Sequence, residues 1–154
     1  MGRVLVTGMS GAGKSTLLAA LAARGHRAVE TDEDGWIGTG GEVDVARMSA
    51  LIAAHPRVVV SVTADNQGEL YPLVDHVVLL SAPLDVLLDR VRRRTTNPYG
   101  RTPEQQDEIR SYVRTVEPLL RRGATLELDG RRPVAELADV VEALLLADAD
   151  ASGG

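Results

Sequence analysis

Nine residues, Gly8-Met9-Ser10-Gly11-Ala12-Gly13-Lys14-Ser15-Thr16, constrain what this chain can fold into more than any other feature. Gly8 to Ser15 matches the whole pattern G-x-x-x-x-G-K-[S/T], and the flanks are those the pattern needs. An apolar β-branched run, RVLVT at 3–7, precedes it. A helical stretch, KSTLLAALAARG at 14–25, follows it, with Leu17, Leu18, Leu21 and Ala22 on one stripe and a stop at Gly25. Glycines in such a turn let successive N–H groups point inward at phosphate oxygens. The positive end of the helix behind them adds to the attraction. Lys14 would deliver a point charge to the β- and γ-phosphates, and the Ser15 hydroxyl is placed to ligate Mg²⁺. Lys14 is the only lysine, against 16 arginines. A planar guanidinium fork cannot replace a compact ammonium inside the cradle, which explains the exception. Gly8, Ser10, Gly11, Ala12, Gly13, Lys14, Ser15 and Thr16 are therefore expected to bind a nucleotide.

A strand leading into a cradle and a helix is the first unit of an alternating pattern. Further apolar runs lie at 27–30, 57–62, 76–80 and 124–129, three of the five runs with little polar alternation, as expected of strands covered on both faces. Between them lie helical stretches at 43–55, 83–94, 102–120 and 133–147. Val45, Met48, Leu51 and Ile52 share one face of the first of these. Thr102, Pro103 and Gln105 form a helix start. The order predicts an α/β chain built on a parallel sheet, with one domain over 1–147 and a frayed tail at 148–154. Two polar loops interrupt it, TDEDGWIGTGGE at 31–42 and TTNPYGRTP at 95–103, and such loops are where binding and gating tend to sit.

Composition narrows the function. There is no cysteine, so disulfides, thiolate nucleophiles and cysteine zinc sites are excluded. A net charge of -5 argues against a general nucleic-acid binder. No apolar run approaches the length of a membrane span, and the apolar part of MGRVLVTG is too short for a signal peptide. Val6 stands where myristoylation needs Ser or Thr. A soluble cytoplasmic protein, monomer or homodimer, is expected. His26, His55 and His76 sit singly at element edges, and none is read as a metal ligand or general base.

Beyond the cradle, two more stretches carry a family resemblance. One is Thr31-Asp32-Glu33-Asp34, acidic and just past the second predicted strand; the other is Asp89-Arg90-Val91-Arg92-Arg93-Arg94, followed by a short loop with Arg101. With the cradle near the start, these make the chain similar to the small P-loop kinases, the group of adenylate, shikimate and gluconate kinases. The NPYG stretch is also similar to chains known as AAA-family or kinase-like proteins. The resemblance covers nearly the whole chain in element order. It implies a three-layer P-loop sandwich: a five-stranded parallel sheet in the order 2-3-1-4-5, helices on both faces, and a lid at about 95–103.

It also implies roles. Arg90 would stack on the adenine of ATP, and Arg94 and Arg101 would neutralise phosphoryl charge as the lid closes. Arg92 and Arg93 suit a solvated helix end, where arginine also favours the helix dipole. Asp32 would orient or deprotonate an acceptor hydroxyl or hold Mg²⁺ through water, with Asp34 able to share the role; an Asx turn or helix cap is the other use. Arg47 lies on the helix that covers acceptors in the relatives. The Asn66-Gln67-Gly68 turn serves either acceptor contact or the start of a short helix. Trp36 stacks on an acceptor or packs against the sheet edge. Arg132, in Asp129-Gly130-Arg131-Arg132-Pro133, resembles the loop that borders adenine, and Tyr99 is lid packing. No acidic residue ends the third predicted strand, and Asp65 lies some way past it.

Two function classes result. The first is a kinase passing the γ-phosphoryl of ATP-Mg²⁺ to a hydroxyl or phosphate of a small-molecule acceptor. The second is a regulatory ATPase or switch with no such acceptor. Stretch 90–101 separates them, because a switch has no evident use for an arginine lid. A GTPase is disfavoured by the missing N-K-x-D motif.

Overall fold

Val4, Leu5 and Val6 are inaccessible to solvent because their strand, β1 (Gly2–Gly8), runs through the middle of the sheet. The computed structural model describes residues 2–31, 35–94 and 98–147. Within them β1 pairs in parallel with β3 (Arg57–Ser61) on one side and β4 (His76–Ser81) on the other. β2 (Ala28–Glu30) joins β3 and β5 (Leu126–Asp129) joins β4, completing the expected order β2-β3-β1-β4-β5. Register is specific, with Val6 opposite both Ser61 and Val78. Side chains alternate between the two faces with period two. Val4 and Val6 meet α1 (Lys14–Ala23) and α6 (Val134–Leu146) through Leu17, Leu21, Val141 and Leu145. Leu5, Val58 and Val60 meet Trp36 and α2 (Val45–Ala54) through Met48 and Ile52.

Local signals account for most helix ends. Gly25, at φ 92, closes α1 through its N–H to the Ala22 carbonyl. Ala22 itself is exposed, so the buried stripe is Leu17, Leu18 and Leu21. Asp44 caps α2 and Thr102 caps α4 (Pro103–Thr115), each accepting from the backbone N–H three residues on. Pro83 precedes α3 (Leu84–Arg93) and Pro133 precedes α6. The single helix expected over 102–120 is two, α4 and α5 (Glu117–Gly123). Pro118 explains the break: it has no N–H for the carbonyl one turn back, and its ring clashes there.

Because all strands are parallel, their carboxyl ends share one edge, from which the chain leaves β1 toward β2 on one side and leaves the adjacent β4 toward β5 on the other. That reversal opens a crevice directly above the cradle. Among the described residues no helix is long and apolar enough to cross a membrane.

Candidate active site

The cradle turns tightly between β1 and α1. Gly13 is the N-cap of α1 at φ 109, ψ 16, and Gly11 at φ 88 lies so near α3 that a Cβ would stand 2.7 Å from the Leu87 carbonyl oxygen. Neither position tolerates a side chain without strain. Lys14, Ser15 and Thr16 open the first turn of α1, where a helix has no carbonyl to offer its own N–H groups. Lys14 Nζ donates to the carbonyls of Gly8 at 2.5 Å and Met9 at 3.2 Å, so the ammonium curls over the cradle it would share with phosphate. Gly8 O also accepts from Thr63 Oγ1 at 2.9 Å.

Above the cradle lies a cavity of about 540 Å³. Its floor is Gly8, Ser10, Gly11, Gly13, Lys14, Ser15 and Thr16. Arg90 of α3, its C-cap Arg94 and the group Tyr99, Ile109 and Tyr112 form the far wall; Thr63 lies two residues past β3. Of the expected nucleotide residues, Ala12 is buried at 1% exposure and contributes its carbonyl instead. Arg90 spans the cradle and the loop after β5: Nη1 donates to Gly11 O and Ala12 O, both at 3.2 Å, and Nη2 to Gly130 O at 2.7 Å. The guanidinium expected to stack on adenine also braces two loops through its in-plane N–H groups. Gly130 makes the brace possible, since a Cβ there would run into the Ala12 carbonyl. Gly130→Ala should therefore cost about 2 kcal/mol, seen as a lowered thermal midpoint, and weaken nucleotide binding by shifting the cradle.

The remaining expected residues are dispersed. Arg94 Nη2 donates to Tyr99 O at 2.9 Å and lines the cavity. Arg101 donates to the Arg94 carbonyl and lies outside the lining, as does Arg132, which pairs with Glu136 at 3.3 Å on the surface. Arg47 lies over the Trp36 ring, 3.8 Å from its centroid, and Trp36 is 6% exposed and packed into the core. Asn66 clasps Val43 through both ends of its amide, at 2.8 Å and 3.0 Å. Gln67 is buried, accepting from Ala64 N–H at 2.9 Å and donating to Thr7 Oγ1 and Tyr71 Oη. Both amides thus hold the loop after β3, and Gln67 opens a 3₁₀ turn, Gln67–Leu73. Asp32 and Asp34 lie outside the described residues. Asp65 is exposed, its N–H on Gly41 O, and among the described residues no group of His, Asp and Glu forms a metal site by itself.

Tyr99, in the cavity wall, and Asp129, at the end of β5 and outside that lining, are both shifted. Burial and the hydrogen bond to Glu108 push the Tyr99 phenol up to about 12, so its ring faces the cavity as a neutral wall. The Arg131 guanidinium, bonded to both Asp129 oxygens, holds that carboxyl down at about 2. Thr63, Ile109 and Tyr112 had no signal in the linear sequence, because only the folded chain brings β3, α4 and the cradle together.

A family model described as an AAA domain matches residues 4–111. Among curated proteins no sequence matches the chain. Among solved structures, the shikimate kinase from Acinetobacter baumannii in complex with shikimate superposes at TM-score 0.69 with 20% identity, covering 97% of this chain and 95% of that one. The shikimate kinase from Bacteroides thetaiotaomicron gives 0.65 and 20%, over 91% and 98%. A gluconokinase from Sinorhizobium meliloti 1021 gives 0.59 and 22%, over 97% and 94%. At these identities the likeness is one of fold.

Proposed function

Since this chain belongs to the AAA domain family and folds as the small P-loop kinases do, we propose that it is an ATP-dependent kinase transferring a γ-phosphoryl group to a small-molecule acceptor. The observation that carries this reading is one cavity that joins the Lys14–Ser15 cradle to Arg90, Arg94 and the α3–α4 segment. Phosphoryl transfer asks the protein mainly for positioning and charge neutralisation, and this cavity concentrates cations over a phosphate-sized turn. Lys14 leaves its two carbonyls for the β- and γ-phosphates. Arg94 and Arg101, joined through the Arg94 carbonyl, bring charge to the transferring group as the segment closes.

Mg²⁺ fits as a passenger of the nucleotide. The Ser15 hydroxyl, exposed at the start of α1, is the protein ligand in reach, and no described carboxylate cluster competes for the ion. When bound, the ion would neutralise charge on the β- and γ-oxygens. Asp32 is proposed either as the base at the acceptor hydroxyl or as a ligand through water.

The test is transfer of ³²P from ATP to acceptors, with nucleotide affinity measured separately by calorimetry. Arg94→Ala should lower kcat by about a hundredfold or more and leave the nucleotide Kd within about threefold, because its contact belongs to the closed state. Nucleotide binding with no transfer to any acceptor would favour the switch instead.

A further inference from the structure

Resting on the kinase reading, the cavity also indicates what it phosphorylates: we infer that the acceptor is an uncharged polyhydroxyl ring, with Tyr112 as the surface on which its C–H face lies. The cations of the site are committed to the nucleotide side. Lys14 lies on the cradle, Arg90 binds the cradle to Gly130, and Arg94 holds the Tyr99 carbonyl. Arg47, the cation that would meet an anionic acceptor, is stacked on Trp36 and is not among the lining residues.

Once the cradle and those arginines are assigned to ATP, the wall that remains among the described residues is Thr63, Tyr99, Ile109 and Tyr112. Ile109, at 2% exposure, packs on Leu88 and Val91 and fixes α4. Tyr112, one turn later, is 43% exposed and turned to the cavity. An accessible aromatic ring in a concave wall is ready to stack, and its quadrupole accepts the slightly positive edge of C–H groups. Thr63, exposed two residues past β3, gives its proton to Gly8 O and keeps lone pairs for an acceptor hydroxyl. Among the described lining residues a carboxylate placed against this wall would lose water without gaining a cation beyond those assigned to ATP, and desolvating an unpaired charge is unfavourable.

Matched acceptors test the inference: glucose against glucuronate, and methyl shikimate against shikimate, each with ATP-Mg²⁺. The neutral partner should show a kcat/KM at least about tenfold higher. Tyr112→Ala should raise KM for that acceptor by about tenfold with KM for ATP within about twofold, while Tyr112→Phe keeps the ring and stays near the parent. Preference for the acidic partners overturns the inference and leaves the kinase reading standing, and so does an unmoved acceptor KM in Tyr112→Ala. If neither partner of either pair takes phosphate while calorimetry still shows ATP bound, this inference falls, and the kinase reading falls with it only when no other acceptor takes phosphate either.

Discussion

Lys14→Ala should lower ATP-dependent turnover by about 10²–10³-fold, with the thermal midpoint close to that of the parent. The ammonium donates to the Gly8 and Met9 carbonyls, and both carbonyls face a cavity open to water. Water can replace the donor in the free protein. Nothing can replace it against a triphosphate, where a fixed positive charge in a partly water-excluded site acts with no reorganisation. Lys14→Arg separates charge from shape. It keeps the charge but brings a planar fork into a turn bounded by Gly11 and Gly13, so it should rescue little. Calorimetry with an ATP analogue and Mg²⁺ provides the check. An unchanged affinity in both variants would mean that the turn does not hold phosphate.

Arg90→Ala should have the opposite signature, a large loss of stability with nucleotide affinity falling as a consequence. One guanidinium satisfies the carbonyls of Gly11, Ala12 and Gly130, which belong to loops more than a hundred residues apart in sequence. Hydrogen bonds from a charged donor contribute more than neutral ones, and allowing for partial exposure the set is worth about 3 kcal/mol. For a chain of this size that is roughly 6–12 °C in thermal midpoint. Arg90→Lys should fail to restore it, since one ammonium cannot reach carbonyls in two directions with fixed geometry. A variant with an unchanged midpoint and reduced nucleotide affinity would leave Arg90 with the adenine-stacking role implied by resemblance and no bracing role.

The contrast between Lys14 and Arg90 shows what was readable from the chain alone. Lys14 lies inside a contiguous motif whose flanks are its own strand and helix, so local sequence defines its surroundings. Arg90 was recognisable as an arginine near a nucleotide, but its partners are 40, 78 and 79 residues away, and only the sheet order brings them to its fork. Strand runs were legible because valine and leucine dominate segments buried on both faces. The division of α4 from α5 was signalled by Pro118 and hidden by an apolar period that continues across it. Asn66 and Gln67 could be read as acceptor contacts or loop formers, and their amides are in fact engaged within the protein. Tyr112 was illegible: its period on α4 marks it only as one turn from Ile109, and what it faces is decided by the whole fold.

The central position of β1 has a consequence for how the chain is made. This strand precedes both of its partners in the chain, the earliest beginning at Arg57 and the second at His76. Until residues 57–61 have followed it, β1 leaves Val4, Leu5 and Val6 with no ladder to join, an unpaired apolar segment. Closing loops of that length is entropically slow, and a waiting strand is open to neighbours of its own kind. The cradle, which hangs from the end of β1, therefore acquires its shape only once β3 and β4 have followed, and nucleotide cannot help an intermediate that lacks them to fold.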